Sequence, residues 1–533
     1  MYGGTEETNA ALAGPLAMAV AGAVALLERT PHRGMITACI ICATLLQSLD
    51  QTIANVALPY MQGSFSASYD EITWVLTAYI TAAAIMTAPV GWLAARFGRK
   101  RLFVVCIISF TITSMLCGAA QTLEQIVVFR LLQGMCSAAL VPLSQAILFD
   151  IYPIERRGFA MAVWGMGVMI GPILGPTLGG YLTDAYNWRY VFYINLPFGV
   201  LAALGLLLFM HESDGERHLR FDWLGFFPLS IGIGALQIML DRGNNQDWFT
   251  SREIMIEAVL AGLGIYLFLV HMAWAPRPLI RPELFRDVNF TAGLVLMFAV
   301  GTLLVSSIAL MAPWLQTLAN YPVATAGLLM APRGIGNLFT ITLCGRLLTR
   351  FDQRWLVAIG LLLQCWSFWA MTGWTPDVSA HELIITIAVQ GAGLGLVFTP
   401  LQVLAFATLA PRLRTEGAAL FSLGRNIGAA IGVSVTTSLL AHNAQALHET
   451  IGASVNPFNR ALQALGSARA WLDPASRHGS MMLDQMVNHQ AQIIAYIDDY
   501  VLMIFTTIPA LLLLLLMRRP RHAPAAEMAQ ATE

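Results

Sequence analysis

Fourteen apolar runs of about 18 residues or more punctuate this chain. They fall near 35–57, 73–92, 102–120, 125–148, 159–181, 190–210, 223–240, 254–274, 290–312, 324–345, 355–373, 383–407, 417–440 and 497–517. A helical run of that length matches the ~30 Å hydrocarbon core of a bilayer. Backbone groups find no water there, so each run must close its own hydrogen bonds as a helix. The expected fold class is an all-α membrane protein with 14 transmembrane helices. Composition agrees: 57% of residues are hydrophobic and 11% are charged, against about 25% charged in a soluble domain. An ordinary cytosolic enzyme, a secreted disulfide scaffold and a disordered chain are excluded.

The arginines orient the runs. With the N-terminus inside, 21 of the 30 Lys and Arg residues fall on the inner face, and only Arg189, Arg242 and Arg252 fall in short outer loops. That bias is the positive-inside signature, and it puts both termini in the cytoplasm. The long outer loop 441–496 is exempt from the rule. Residues 10–27 form a weakly apolar, Ala-rich stretch after an acidic start. They read as a peripheral helix or a disordered segment rather than a signal peptide.

The loop after the second run reads Gly91-Trp-Leu-Ala-Ala-Arg96-Phe97, and the loop after the tenth reads Gly345-Arg-Leu-Leu-Thr-Arg350-Phe351. Gly, Leu, Arg and Phe coincide in register. Two six-helix halves with two extra helices between them account for fourteen, and paired halves are the plan of secondary transporters. The expected division is a 1–34 N-terminal cytoplasmic or peripheral segment, a 35–210 six-helix bundle and a 211–288 pair of extra helices. A second six-helix bundle at 289–517, which includes loop 441–496, and a cytoplasmic tail at 518–533 complete it.

At this point the residues resemble a known family. Leu49-Asp50-Gln51-Thr52-Ile53-Ala54-Asn55-Val56-Ala57-Leu58-Pro59, the loop with Gly91, Arg96, Gly98 and Arg99, and Arg130-Leu-Leu-Gln133-Gly134 are all similar to motifs of the major facilitator superfamily. The fifth run adds Gly167, Gly171, Pro172, Gly175, Pro176, Gly179 and Gly180, similar to the antiporter motif. The chain thus resembles the fourteen-span drug:proton antiporters of the EmrB/QacA type. Leu240-Asp241-Arg242-Gly243 and Val455-Asn456-Pro457-Phe458-Asn459 point to the EmrB branch. The resemblance implies proton-driven efflux of lipophilic drugs from the bacterial inner membrane. It also implies a periplasmic adaptor and an outer-membrane channel as partners. One departure stands out: Ala95 occupies the place of an acidic residue in the family's loop, which puts a charge lock through that residue in doubt.

Asp50 reads as the only carboxylate deep in a run. Intramembrane acids are costly and mark proton or substrate paths, and a buried carboxylate beside a cation can bind and release a proton. Arg130 lies at nearly the same depth, so the two are expected to interact, with Arg130 tuning the proton site, clamping helices, or both. Arg333 and Arg425 fall near mid-membrane. Two buried cations beside one acid favour neutral or anionic lipophilic substrates, although carbonyls or water also satisfy arginine. Asn55, Trp74, Tyr79, Gln133, Arg333, Phe421 and Arg425 form the candidate cavity set. The glycines of the fifth run let a neighbouring helix approach, and its prolines bend it. The apolar residues of loop 441–496 read equally as packing on the pump or as an adaptor dock.

Other chemistries lack their residues. One lysine, Lys100, is not preceded by Gly, so no Walker A loop exists. The seven cysteines, including Cys39 and Cys42, sit in apolar runs and read as packing residues. The histidines have no tight metal spacing, and there is no basic field for nucleic acid. No cofactor beyond a proton gradient is expected. An enzyme would need clustered acids, His or Cys at one depth, and a channel would lack the antiporter-like fifth run. The alternative within transport is export of an endogenous lipophile such as a fatty acid or siderophore.

Overall fold

A computed structural model describes residues 32–153, 156–212, 218–276, 278–348, 350–455, 472 and 476–518. The expectations for residues 10–27, most of the 518–533 tail and residues 456–471 of loop 441–496 fall outside these. Seventeen α-helices carry the described chain. In order they are α1 (Arg33–Phe65), α2 (Tyr69–Thr87), α3 (Val90–Phe97), α4 (Arg99–Ala119), α5 (Leu123–Ser137) and α6 (Leu140–Ile151). Then come α7 (Arg157–Ala185), α8 (Tyr190–Tyr193), α9 (Asn195–Phe209), α10 (Trp223–Arg242), α11 (Arg252–Trp274) and α12 (Val288–Pro313). The last are α13 (Val323–Leu347), α14 (Gln353–Met371), α15 (Ala380–Ala407), α16 (Arg414–Ala453) and α17 (Arg477–Leu513).

Eleven helical segments are long and apolar enough to cross a membrane. A twelfth is the pair α2 and α3, bent by 59° at Pro89. The helices α7 and α13, 29 and 25 residues long, stand at the two remaining places. The expected fourteen are thus compatible with the structure. Polar caps start many of them: Ser68 and Glu71 form a capping box on α2, and Asp222, Asp287, Asp352, Ser379 and Ser476 cap α10, α12, α14, α15 and α17.

Loop 441–496 is largely helical where it is described. The helix α16 is 40 residues long and α17 is 37. At 1.5 Å per residue each spans more than 50 Å, well beyond a ~30 Å core. Beyond the core the two are tied by Asn443 to Asp498 (3.2 Å) and His448 to Asp484 (3.0 Å).

The same helix pairings occur twice. In the first half α1 packs on α7, α2 on α5, α4 on α5, and α9 on α1 and α4; in the second α12 packs on α16, α13 on α15, α14 on α15, and α17 on α12 and α14. The repeat reaches single atoms. Thr52 Oγ1 donates to the Gly171 carbonyl (3.2 Å), and Thr302 Oγ1 donates to the Gly428 carbonyl (2.9 Å). Gly134 of α5 leaves room for the Tyr79 carbonyl of α2, and Gly391 of α15 does the same for the Arg333 carbonyl of α13. The helices α10 and α11 pack on each other, and α10 also touches α2 and α16.

The halves are joined at the arginine-rich end. Asp150 of α6 pairs with Arg99 of α4 and with Arg414 of α16 (3.2 Å). Beside it Phe149 stacks on Phe406, Trp164 stacks on Phe398, and Gln145 donates to Gln402 (3.4 Å). The start of α7 meets the end of α13 through Gly158 and Leu348, and Gly165 and Ile341. Toward the opposite end of the same two helices, Leu174, Leu328 and Ile335 are exposed.

The antiporter-like glycines face α1. Gly167 lies against Ile41, Gly171 against Ser48, Gly175 against Thr52 and Gly179 against Ile53, while Gly180 faces open space. Overpacking a close helix contact costs typically about 1–3 kcal/mol. Gly175→Val is therefore expected to lose most of the folded protein, while Gly180→Val accumulates as wild type. Fluorescence-detected size-exclusion chromatography of both variants checks this.

Candidate functional site

The glycine stripe of α7 holds α1 close and so fixes the helix that carries Asp50. Asp50 is 0% exposed. Its Oδ2 accepts from Arg130 Nη1 at 2.7 Å, and the Arg130 side chain is likewise buried. Its Oδ1 accepts from Gln133 Nε2 (2.9 Å) and from Asn195 Nδ2 (3.1 Å). Arg130 spends its remaining donors well: Nε bonds the Val75 carbonyl (3.1 Å), and Nη1 also bonds Gln133 Oε1 (3.0 Å). The guanidinium lies 4.2 Å from the Tyr79 ring centre, a cation–π contact, and 5.7 Å from that of Phe192. Asn195 also donates to Ser114 Oγ (3.0 Å), which donates to the Phe192 carbonyl (2.9 Å).

The carboxylate of α1 thus takes its donors from α5 and α9, and the network runs on from them to α2, α4 and α8. Residues Arg130 and Gln133 are one turn apart on α5, so both reach the same side. Gly134, next in sequence, lets α5 approach α2 until Tyr79 covers the guanidinium. The arrangement gives the buried carboxylate one cationic and two amide donors.

The cavity set divides. Tyr79 and Gln133 belong to the Asp50 network. Phe421 is 2% exposed and packs on Phe290 and Phe406 at the arginine-rich end. Trp74 is half-buried under Arg242, whose guanidinium lies 5.4 Å from its ring. Asn55 is exposed. Arg333 lies buried in the second half; its Nη2 donates to Ser307 Oγ (2.8 Å) and the Leu304 carbonyl (3.2 Å), and its Nη1 is buried with no partner. Arg425 is half-buried and reaches Asn426 Oδ1 at 3.4 Å. In the gating loop Gly98 takes φ 85°, which favours glycine. Arg96 bonds the Leu219 carbonyl and lies over Trp92, and Arg99 pairs with Asp150. Gly91 sits against Glu416 of α16. The side chains of Pro172 and Pro176 are outside the described set.

The sequence reading missed several residues. Asp50 is not the only buried carboxylate: Asp499 of α17 is 1% exposed, and both its oxygens lack partners. Asp499 stood at the edge of an apolar run, but α17 begins at Arg477, well before that edge, and the aspartate packs inside the bundle. Asn195 carried no spacing signal linking it to Asp50. The inter-half bridge through Asp150 was equally invisible. It runs from α6 to α16 and does not use the position of Ala95. Among the described residues no group of three or more His, Cys, Asp or Glu could hold a metal ion.

Comparison with known proteins gives a consistent picture. A family model described as Major Facilitator Superfamily matches residues 40–433. The chain is 35% identical over 464 residues to the multidrug export protein EmrB of Escherichia coli strain K12, covering 86% of this chain and 90% of that protein. It is 34% identical over 422 residues to the fatty acid resistance protein FarB of Neisseria gonorrhoeae, covering 79% and 83%. Among solved structures the proton:xylose symporter XylE superposes with a TM-score of 0.55 at 15% identity, covering 87% of this chain and 94% of that one. At that identity the likeness is one of fold.

Removing one partner of a buried ion pair costs about 3–5 kcal/mol because it strands the other charge. Arg130→Gln is expected to destabilise by roughly that amount. The double variant Asp50→Asn with Arg130→Gln should recover much of it. Thermal unfolding of the purified proteins measures the difference.

Proposed function

The chain belongs to the Major Facilitator Superfamily, in its branch of EmrB-type multidrug transporters, and from that premise we propose that it exports lipophilic toxic compounds in exchange for protons. The observation that carries the proton role is the buried Asp50 carboxylate held by Arg130, Gln133 and Asn195. On this reading a proton from outside reaches Asp50, displaces Arg130 from Oδ2, and loosens α1 from α5 and α9. Return of the charge re-forms the pair. The two halves rock about the central site between these states. With the arginine-rich end in the cytoplasm, as the positive-inside bias indicates, the packed Asp150, Phe149 and Trp164 contacts close the inner side. The structure then corresponds to an outward-open arrangement, and export proceeds by breaking and re-forming the Asp150–Arg414 bridge.

The host membrane on this reading is the bacterial inner membrane. The partners are a periplasmic adaptor and an outer-membrane channel. Support for the adaptor comes from the length of α16 and α17, which project past the bilayer, and from the exposed Met481, Met482 and Met486 on the projecting part. Pliable methionine surfaces suit docking. The second reading, export of an endogenous lipophile, is favoured by one specific observation: the similarity to FarB, a fatty acid resistance protein.

The test uses purified protein in liposomes with an imposed pH gradient. Wild-type protein should accumulate a lipophilic substrate only while the gradient lasts. Asp50→Asn should lose gradient-driven accumulation at least tenfold while retaining its size-exclusion profile. Full gradient-driven transport by Asp50→Asn would remove the proton role.

A further inference from the structure

The motif that begins at Leu240 lies outside the Asp50 network, yet it reaches both halves of the molecule. It ends α10, makes two short 3-10 turns at Asn244–Gln246 and Trp248–Thr250, and enters α11. On the first-half side, Asp241 accepts from Thr77 of α2, and the Arg242 guanidinium lies 5.4 Å from the Trp74 ring centre. Gly234 of α10 lies against Ile85 and Thr81 of the same helix. Arg242 also pairs with Glu253 of α11, which ties the two extra helices to one another. On the second-half side, Asn244 Nδ2 donates to Thr437 Oγ1 of α16 (2.8 Å), and Trp248 Nε1 donates to Ser438 Oγ (3.0 Å). Ser438 Oγ lies 2.6 Å from Asn244 Oδ1. Along α16 these bonds stand about 35 Å from the Asp150–Arg414 bridge.

The two anchors differ in kind. The α2 anchor uses a carboxylate and a guanidinium, and charged partners make the stronger contacts. The α16 anchor is built from neutral amide, indole and hydroxyl groups. Its hydroxyls have a second acceptor at hand: Thr437 Oγ1 lies 2.8 Å from the Val433 carbonyl, and Ser438 Oγ lies 2.6 Å from the Ser434 carbonyl. Letting go therefore strands neither hydroxyl. The turn that presents this anchor is strained. Asp247 and Trp248 take φ 52° and 51°, a region that a bulky L-residue avoids. The Trp248 N–H donates to the Gly243 carbonyl (2.9 Å), and its ring lies on Gly243, where a Cβ would come within 2.8 Å of it. The strained turn aims the indole at Ser438.

We propose that this turn is a latch between the halves: it rides on α2, grips α16 while the outer side is open, and releases Thr437 and Ser438 each time the outer side closes. The proposal rests on the rocking, outward-open reading above. Rocking changes the separation of the outer ends of α2 and α16, and the neutral bonds are the ones that give. A contact made in one arrangement and lost in the other favours the first. The latch thus holds the inner contacts closed from the far end of α16.

Two experiments on the full chain test this. The first is hydrogen–deuterium exchange in lipid nanodiscs, with no gradient, on wild type, Ser438→Ala and Trp248→Phe. The phenylalanine keeps a ring on Gly243 and removes the indole N–H. Inner-end peptides around Asp150 and Arg414 should exchange at least threefold faster in both variants, with unchanged size-exclusion profiles. A purely local role would change exchange only near residues 240–250 and 434–442. Inner-end exchange less than threefold faster than wild type in either variant would overturn the proposal. The second experiment pins the latch with Asn244→Cys and Thr437→Cys, the disulfide being verified by peptide mass spectrometry. In liposomes the oxidised variant should lose gradient-driven transport at least tenfold relative to oxidised wild type, and reduction should restore it. Failure of the disulfide to form, or a smaller loss, would also overturn the latch. If wild type itself shows no gradient-driven transport, the antiporter reading fails, and the exchange result still decides the latch.

Discussion

The Asp50–Arg130 pair is the interaction on which the first half of the molecule turns. In water such a pair contributes little, because each charge is already solvated. Inside a helix bundle in lipid the alternative is an isolated charge, and that alternative is expensive. The pair therefore forces its surroundings to be complete. Gln133 and Asn195 fill the remaining lone pairs of Asp50, the Val75 carbonyl takes the Arg130 Nε donor, and Tyr79 covers the guanidinium face. Each of these groups comes from a different helix or a different turn. The glycines at 134, 171 and 175 exist in the structure as the gaps that let those helices come close enough. On the proposed mechanism this interdependence is what converts one proton into a movement of helices: neutralising Asp50 removes the common acceptor that several helices share.

The second half keeps the scaffold of the first without its charge balance. Thr302 and Gly428 repeat Thr52 and Gly171, and Gly391 repeats Gly134. Yet Val300 and Ile387 are buried hydrophobic residues where Asp50 and Arg130 would stand. Two halves with one frame thus hold different chemistry.

Much of this was legible in the sequence, for physical reasons. Apolar runs long enough to cross lipid have no alternative to helix, so element type and rough position were fixed by length alone. The arginine bias ordered the loops, and Asp50 and Arg130 stood out because charges in such runs are rare. Their interaction followed from similar depth, and the structure makes it a direct bond. Other features needed three dimensions. Asp499 sits at the edge of an apolar run, and only the early start of α17 and the packing around it reveal that it is buried. Phe421 looked like a cavity wall because it lies in an intramembrane helix, but the face it presents packs on Phe406 and Phe290. The Asp150–Arg414 bridge joins positions 264 residues apart, a distance across which no local pattern operates. It also shows how the chain joins its halves with Ala95 in the loop: a carboxylate at the end of α6 reaches α16.

The central claim is that Asp50 trades a proton as the transporter takes up its cargo. Proton release by detergent-solubilised protein in weakly buffered solution tests it most directly. A lipophilic substrate is added at fixed pH, and the released protons are counted with a pH-sensitive dye. The account predicts that wild-type protein releases protons in proportion to bound substrate, and that Asp50→Asn binds substrate but releases none. Equal release from Asp50→Asn and wild type would contradict the account.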